Sequence, residues 1–511
     1  MRKIAIDGKS LTIEDVISIA RHHDARVVLT PEAIETVKSC REFIDSLFSQ
    51  KKDNSVIYGV TTGFGDLASQ HVSPEQVEQL QENLIMSHCA GTGEPFSDSV
   101  ITGAMVLRLN SLARGNSGIR PEVLQLLLSF INDNIVPHVP SQGSLGASGD
   151  LCPLAHIALA MIGQGYIKDT NGLKPTKEIL AEKNLQPVTL KAKEGLALLN
   201  GSQFMNSMAC HIVYDAAILQ KIADVALAMS LEALKGTIIA FDSRIASLRP
   251  FQGSQETSSN VMKMVEGSSL LDSSRVQDAY SLRCAPQVHG TVREAFRFIR
   301  SMVEIEINSV TDNPLIFPED GTILSGGNFH GQPLAMALDL TSIVLSNLAN
   351  ISERRIERMV NKSLSKHLPP FLIENDPGLN SGFMIPHYTA ASLVSENKSL
   401  SFPASVDSIP VSAGQEDHVS MGTVAGRKAM RILDNTFNVL SIEMLAGAQA
   451  LDFVGPEKAG KGTMAAYKFI RSQVPHVEKD RPFYEDITKI KAILTNLELI
   501  KVVEKDIGPL N

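Results

Sequence analysis

The sequence predicts a mainly α-helical fold in which long helices pack into a bundle. Several long segments are apolar at helical spacing, and the strand signals between them are short and few. Glycine-rich loops separate these segments, as expected where the backbone must turn sharply or approach another group closely. Apolar helices of this length usually pack on one another within a domain and often between subunits, so we also expect an obligate oligomer.

Four long helices are predicted, and several of their ends are marked by glycine or proline. Gly236 is placed to end the first helix, and Pro314 prevents the second from continuing because it forces the preceding residue out of helical conformations. The four helices are predicted from Gln203 to Lys235, from about Thr291 to Asn308, from near Pro333 towards Pro369, and from about Gly422 to Phe453. The glycine-rich loops cover residues 58–65, 143–150, 324–333 and 379–387.

No feature of the 511 residues marks a domain boundary. Proline, glycine and serine are scattered, and there is no low-complexity tract, long charge run or internal repeat. We therefore expect one domain over residues 1–511, with an N-terminal part of about 1–200 and a long-helix part of about 201–511. With 43% hydrophobic residues the chain can bury a large core.

Charge and cysteine usage argue against several classes of protein. The net charge of -9 is spread along the chain without a basic stripe, so nucleic acid is not an expected partner. Because acidic residues come before any apolar run near the N-terminus, we expect no signal peptide. Charged residues interrupt the most apolar stretch, 212–239, which predicts a buried helix and no membrane span. Five widely spaced cysteines without a CxxC pair suit reduced thiols and a cytoplasmic location.

The most distinctive motif is GSLGASGDLCPL at residues 143–154. Ala147-Ser148-Gly149 alone is expected roughly a quarter of a time by chance in a chain of this length, and would be interpreted as a turn. Gly143 and Gly146 before it, and Asp150-Leu151 and Pro153-Leu154 after it, make the pattern long and specific.

In these surroundings the motif resembles the signature of the aromatic amino acid ammonia-lyase family. Further segments match the family in order along nearly the whole chain. They contain Tyr58 (YGVTTGFG), Ser87-His88 (IMSHCAGTGE), Asn200 (GLALLNGSQ), Gln277, Tyr280 and Arg283 (VQDAYSLRCAPQ), Phe329 (GGNFHGQP) and Glu416 (SAGQEDHVSMG). The resemblance implies a helical fold of the L-aspartase/fumarase-like superfamily with glycine-rich active-site loops, and a homotetramer whose sites combine residues of neighbouring chains.

The resemblance also implies an electrophile made from the chain itself. At the positions of the family motif, the Gly149 nitrogen attacks the Ala147 carbonyl carbon and two waters leave, one of them taking the Ser148 hydroxyl. The product is a 4-methylidene-imidazole-5-one ring, MIO, whose methylene is attacked either by the substrate amine or by the substrate ring. Pyridoxal phosphate is not expected because it acidifies the α-proton, whereas the β-proton is removed here. A catalytic metal is not expected either, because the histidines form no HExxH or Cys/His spacing.

By the same resemblance, Tyr58 is the expected base for the β-proton, with an ordinary core tyrosine as the alternative. A free tyrosine has a pKa near 10 and needs electrostatic help to act near neutrality. Arg283 is expected to clamp the substrate carboxylate with its bidentate guanidinium. Gln277 and Tyr280 are expected to support the same pocket, with Tyr280 counted among the catalytic residues.

The remaining family positions concern the ring and the substrate side chain. Asn200 is expected to hydrogen-bond the electrophile's oxygen or the substrate carboxylate, with a helix N-cap as the alternative. Phe329 is expected to shield the ring, with core packing as the alternative. An imidazole needs polar partners, and the members that act on L-histidine place His88 and catalytic Glu416 around it. The expected reaction is elimination of ammonia from L-histidine to give trans-urocanate, the first step of histidine degradation.

Three alternatives stay open. A tyrosine or phenylalanine ammonia-lyase, or an aminomutase, of the same family would share the electrophile. A serine hydrolase with Ser148 as nucleophile is disfavoured, because the last glycine of Gly146-Ala147-Ser148-Gly149 comes one place early for the G-x-S-x-G motif. A non-catalytic helical scaffold predicts that Tyr58→Phe and Arg283→Lys leave function untouched.

Overall fold

Helices dominate the computed structural model of the chain, which describes residues 1–49, 62, 65, 67, 70, 72–170 and 172–511. The predicted mainly α class is confirmed. The first helices are α1 (Ile13–Ile17), α2 (Pro31–Ser49), α3 (Val77–His88), α4 (Asp98–Leu112), α5 (Pro121–Asn132), α6 (Leu151–Met161), α7 (Thr176–Glu182), α8 (Glu194–Leu199), α9 (Gln203–Ala233) and α10 (Ser243–Leu248). They are followed by α11 (Gln252–Met264), α12 (Tyr280–Arg283), α13 (Ala285–Glu306), α14 (Gln332–Val360), α15 (Lys362–Ser365), α16 (Met384–Leu400), α17 (Gly422–Val454), α18 (Lys461–Gln473), α19 (Phe483–Thr495) and α20 (Glu498–Ile507).

The strands described are short and form four two-stranded sheets. The first sheet is parallel and the other three are antiparallel. The strands are β1 (Arg2–Ile6), β2 (Ala25–Leu29), β3 (Thr92–Pro95), β4 (Pro140–Gln142), β5 (Tyr166–Asp169), β6 (Gly172–Pro175), β7 (Leu315–Phe317) and β8 (Thr322–Leu324).

The four predicted long helices correspond to α9, α13, α14 and α17, with differences at their ends. Helix α13 begins at Ala285, before the predicted start near Thr291, and Gly290 lies inside the helix where α11 approaches closely. A side chain at Gly290 would lie 2.5 Å from the Ser254 backbone nitrogen. Helix α14 ends at Val360, and Asn361 then caps α15 by accepting a hydrogen bond from the Ser363 amide at 3.0 Å.

The chain divides into two units, neither of them continuous in sequence. Unit 1 comprises Met1–Tyr214, Arg300–Asp339 and Pro403–Arg427, and unit 2 comprises Asp215–Ile299, Leu340–Phe402 and Lys428–Asn511. The single-domain organisation of the chain, with parts of about 1–200 and 201–511, stays a prediction.

Each unit has its own core. In unit 1 every residue of α4 from Val100 to Leu112 is buried, and α4 packs against α1 and α5. All four small sheets belong to unit 1. In unit 2, α18 packs against α20 and α11. A helix that is buried around its whole circumference, as α4 is, lies at the centre of a core.

Among the described residues, two helices, α14 and α17, are long and apolar enough to cross a membrane. In the structure 61% of the apolar window of α14 and 83% of that of α17 are buried inside the protein. Core helices of this length share the composition of membrane spans, and burial of this extent is what a core helix shows.

Candidate active site

The loop before α6 holds Ala147-Ser148-Gly149 against the chain that follows α8. Gly149 has φ +76° and forms backbone bridges with Gly146 and with Gly201. A side chain at position 149 would overlap the Gly201 carbonyl, so both the conformation and the available space require glycine. The Asp150 amide donates to the Gly201 oxygen at 2.6 Å. The tripeptide is therefore held by backbone contacts on its C-terminal side.

The Ser148 side chain contacts a carboxylate that lies far away in sequence. Its hydroxyl donates to Glu416 Oε1 at 3.3 Å. Glu416 pairs with Val411 across a tight turn in which Ser412 and Ala413 have φ of 52° and 54°. Positive φ is unfavourable for residues other than glycine and persists where the surroundings impose it, which is common at functional sites. The turn places the Glu416 carboxylate beside the tripeptide.

The carboxylate that follows the tripeptide is fully buried and accepts several hydrogen bonds. Asp150 accepts from the Met205 amide at 2.9 Å, the Thr423 hydroxyl at 2.6 Å and the Ser144 hydroxyl at 3.4 Å. Burial raises the pKa of Asp150 to about 6, although these donors act in the opposite direction. Asp150 thereby fixes the tripeptide to the first turns of α9 and α17.

His88 is the last residue of α3 and is half-buried. Its Nδ1 donates to the Leu84 carbonyl at 2.8 Å, which leaves Nε2 as an acceptor in the neutral ring. Burial lowers the pKa of His88, while the Leu84 carbonyl and the charge of Glu416 oppose this change. His88 is therefore a neutral hydrogen-bond acceptor near pH 7, with Glu416 close enough to act on it electrostatically.

Asn200 lies directly after α8 and is buried. The side-chain Nδ2 of Asn200 donates to the Asn313 backbone carbonyl at 3.0 Å and lies 3.4 Å from Asp312 Oδ1. The backbone carbonyl of Asn200 accepts from Arg108 at 2.7 Å. The alternative interpretation of Asn200 as a helix N-cap is wrong, because α9 begins at Gln203 and the side chain is directed to Asp312 and Asn313 instead. Asn200 Oδ1 is buried and has no hydrogen-bond partner within the part of the chain that the structure describes.

Phe329 is half-buried in the loop between β8 and α14. The Gly326 amide donates to Asn313 Oδ1 at 2.7 Å, and the Asn328 side chain donates to the Val310 carbonyl at 3.2 Å. Asn313 thus contacts Asn200 through its carbonyl and the Phe329 loop through its side chain.

Gln277, Tyr280 and Arg283 lie together in unit 2, in and just before α12. Tyr280 is 70% exposed in the single chain, and the Arg283 guanidinium carbon lies 4.7 Å from the centre of its ring. Arg283 Nε is buried without a hydrogen-bond partner among the described residues. The guanidinium is therefore held by the aromatic face, and no carboxylate of the described chain is paired with it.

Helix α12 contacts a buried ion pair of unit 2, Arg355–Glu443. Arg355 donates to the two carboxylate oxygens of Glu443 at 2.5 and 2.9 Å, and both side chains are fully buried. Arg355 Nη1 also lies 3.5 Å from the Ser281 carbonyl inside α12. Glu443 accepts further hydrogen bonds from Ser230 and Ser352, at 2.7 and 2.6 Å. A buried pair with this many partners has a fixed geometry.

Tyr58 lies outside the described residues. Among the described ones, no group of three or more His, Cys, Asp or Glu residues is arranged to hold a metal ion. Three buried charged residues around Asn200 were not predicted from the sequence, namely Arg108, Lys193 and Asp312. The available signal was an isolated charge within or beside an apolar segment, as in MVLRLNSL and KEGLALL.

The chain matches the model of the aromatic amino acid lyase family over residues 11–472. It belongs to this family. A family member from Caldanaerobacter subterraneus subsp. tengcongensis, named histidine ammonia-lyase, is 50% identical over 99% of both chains. The crystal structure of histidine ammonia-lyase from Trypanosoma cruzi is 40% identical, with a TM-score of 0.91 over 99% of this chain and 96% of that one. Tyrosine aminomutase from Streptomyces globisporus is 36% identical, with a TM-score of 0.94 over all of both chains.

These aromatic amino acid lyase structures confirm the predicted fumarase-like helical fold. The family motif at Ala147-Ser148-Gly149 and the Glu416 turn meet in unit 1, together with Asn200 and the half-buried His88. The family positions Gln277, Tyr280 and Arg283 form a second group in unit 2. The family positions therefore fall into one group around the tripeptide in unit 1 and another around Arg283 in unit 2.

Proposed function

We propose that this aromatic amino acid lyase removes ammonia from L-histidine and releases trans-urocanate, the first step of histidine degradation. The observation that carries the proposal is the contact of the Ser148 hydroxyl with Glu416, whose charge also acts on His88. Glu416 thereby contacts the side chain that would become the reacting methylene, and its charge reaches a second side chain that suits an imidazole, His88. The relatives named histidine ammonia-lyase, at 50% and 40% identity, support the same activity.

We infer that Ala147, Ser148 and Gly149 cyclise to the MIO ring without another enzyme. The Gly149 nitrogen bonds to the Ala147 carbonyl carbon, whose oxygen leaves as water, and the Ser148 hydroxyl leaves as a second water with the Ser148 α-proton. The residues fit this group, since Gly149 is in a conformation reserved for glycine and the tripeptide is fixed by Asp150. The ring supplies an electrophilic methylene that makes the substrate nitrogen a better leaving group. Neither pyridoxal phosphate nor a metal is part of the proposal.

The acceptors at His88 and Glu416 favour an imidazole over a phenyl ring. Neutral His88 offers the lone pair of Nε2, and Glu416 offers a carboxylate. An imidazole has one N–H donor and an imidazolium has two, whereas a phenyl ring has none. A phenyl ring would leave these two acceptors without a hydrogen-bond donor. A site built in this way discriminates strongly against a substrate that lacks the donor.

Arg283 is proposed to bind the substrate carboxylate. Its guanidinium lies over the Tyr280 ring and its Nε has no partner in the described chain, so its donors remain available for a bidentate contact. Gln277 and Tyr280 are proposed to complete this pocket, Phe329 to shield the ring, and Tyr58 to remove the β-proton.

The second candidate is a tyrosine or phenylalanine ammonia-lyase or aminomutase. The likeness to a tyrosine aminomutase over all of both chains favours it, and a phenol also offers one donor to His88. Both candidates use the same electrophile, so only the substrate distinguishes them.

We further propose a homotetramer in the cytoplasm whose active sites combine neighbouring chains, with no nucleic-acid or membrane partner. In the single chain Tyr280 is 70% exposed and Val276 is 90% exposed. These exposed side chains lie next to Arg283, which is proposed to bind a carboxylate. We therefore expect another protein surface to cover them. A neighbouring chain provides such a cover.

The proposal is tested by incubating the protein with L-histidine, L-tyrosine and L-phenylalanine and following urocanate or arylacrylate by absorbance. We expect urocanate from histidine, loss of product to background in Ser148→Ala, and full activity in Ser141→Ala, a control on strand β4. Product from tyrosine without product from histidine would overturn the assignment of L-histidine as the substrate. An unchanged rate in Ser148→Ala would overturn the electrophile.

A further inference from the structure

We propose that Asp312, paired with the buried Lys193, is a positioning residue that fixes the side-chain amide of Asn200 so that Oδ1 is the atom presented to the substrate. Its catalytic meaning rests on the proposed function, but the geometry itself does not. Neither Asp312 nor Lys193 carries a role in the reaction proposed above.

The ion pair is the first observation. Lys193 Nζ lies 2.8 Å from Asp312 Oδ2, and both side chains are completely buried. Arg108 is buried beside them, and among the described residues it has no carboxylate within ion-pair distance. Burial lowers the pKa of Lys193, and lowers that of Arg108 to about 10, with Asp312 opposing both changes. Two buried cations therefore depend on one carboxylate, so replacing Asp312 changes the charge balance of the whole cluster.

The second observation is the orientation of the Asn200 amide. Two oxygens face its nitrogen, the Asn313 carbonyl at 3.0 Å and Asp312 Oδ1 at 3.4 Å. An amide oxygen in that place would meet two acceptors without a donor, so the nitrogen must face them. Asp312 Oδ1 is itself fixed by the Asn313 amide, which donates to it at 2.7 Å.

This orientation of the amide leaves Asn200 Oδ1 without a hydrogen-bond partner among the described residues. Asn200 Oδ1 is buried without a partner in the part of the chain that the structure describes, and a buried acceptor in this state is unfavourable. The next residue, Gly201, forms a backbone bridge with Gly149 of the tripeptide. An acceptor beside the tripeptide suits a donor, and the donor common to all amino acid substrates is the amino group. The expected role of Asn200 as donor to a carboxylate or to the ring oxygen does not match this orientation.

The test exchanges the two side chains. Asp312→Asn leaves Lys193 and Arg108 without their carboxylate, and Asn200→Asp puts two carboxylates in contact. The combined N200D/D312N variant restores one carboxylate and one amide, with the charge of the cluster unchanged. We expect each single variant to lower kcat by about 10- to 100-fold, as for a displaced catalytic group. We expect the exchange to recover part of the activity lost in the poorer single variant, because the charge of the cluster is restored while the Asn313 carbonyl still faces an oxygen.

The matched control is Glu194→Gln, which also changes a completely buried carboxylate to an amide. Glu194 is the neighbour of Lys193 in sequence but pairs with Arg120 at 2.7 Å. We expect this variant to unfold at lower temperature while its folded form keeps kcat and KM. Wild-type kcat and KM in Asp312→Asn, or an exchange variant no better than the poorer single, would overturn the positioning role.

Thermal unfolding of the four proteins separates this proposal from the proposed function. If Asn200 and Asp312 are in contact as described, the two substitutions are coupled. The decrease in the midpoint temperature of unfolding in the exchange variant is then smaller than the sum of the decreases in the two single variants. Additive losses overturn the contact, whatever the activity. Coupled losses in a protein that makes no product from any of the three amino acids would overturn the proposed function and leave the contact supported.

Discussion

At His88 one backbone carbonyl determines what the side chain offers to a ligand. Because Leu84 accepts from Nδ1, the neutral ring has its acceptor at Nε2. Glutamine can replace this acceptor and phenylalanine cannot. We expect His88→Phe to raise KM for histidine by roughly 5- to 150-fold, the equivalent of an unpaired buried polar group, and His88→Gln to raise it much less. Steady-state kinetics checks this, and equal KM values in the two variants would contradict the acceptor role.

Asp150 gives a prediction for stability against pH. Its folded pKa of about 6 is raised above the ordinary 3.8, so between these values the folded state binds the proton more readily than the unfolded state. Stability contributed by the protonated carboxyl is therefore lost as pH rises through about 6. Asp150→Asn removes this titration. The unfolding free energy of wild type should fall relative to this variant by up to about 3 kcal/mol between pH 4 and pH 7. A difference that does not vary with pH in denaturant titrations would contradict it.

At the scale of elements, the position of α12 depends on the fully buried Arg355–Glu443 ion pair. Arg355 spans Glu443 and the Ser281 carbonyl, and lysine has no planar fork that could bridge both. We expect Arg355→Lys to raise KM by about tenfold with a smaller change in kcat, because α12 carries Tyr280 and Arg283.

The matched control for this pair is Arg471→Lys. Arg471 pairs with Asp452 at 2.7 Å in the same unit, without a hydrogen bond to α12 among the described residues. Its replacement should lower stability and leave KM unchanged. Equal effects of the two substitutions on KM would show that the change at Arg355 is general destabilisation.

The long helices were predictable because apolar spacing and terminal glycine or proline act locally. Helix α17 ends within one residue of its prediction, at Val454. The start of α13 was missed because Gly290 is normally unfavourable within a helix, and only the close approach of α11 accounts for it. The contacts of α12 could not be predicted, since Arg355 and Glu443 are 88 residues apart and no local pattern joins them.

The candidate site divides in the same way. Ala147-Ser148-Gly149, Glu416 and His88 were predicted as site residues from motifs whose order along the chain is specific. The Lys193–Asp312 pair joins positions 119 residues apart, so the isolated charge beside an apolar segment at Lys193 gave no indication of its partner. The orientation of the Asn200 amide follows from that pair and from Asn313, so it also required the structure.

For the whole molecule, the proposal of shared sites predicts complementation between defective chains. Ser148→Ala removes the electrophile and Arg283→Lys weakens the carboxylate clamp, and these residues belong to different units. If each site combines neighbouring chains, co-expressed variants form some sites that carry neither substitution. Activity of the mixture well above that of either variant alone is expected in the urocanate assay. A mixture no more active than the mean of its components would contradict sharing between chains.

Intact-mass measurement tests most directly whether the chain makes its own electrophile. Wild type should weigh less than its sequence by the mass of two water molecules, with the loss confined to the peptide containing Ala147, Ser148 and Gly149. Ser148→Ala should lack the loss that takes the serine hydroxyl, while Ser141→Ala keeps the full loss. An unmodified mass in wild-type protein that forms urocanate would contradict the account.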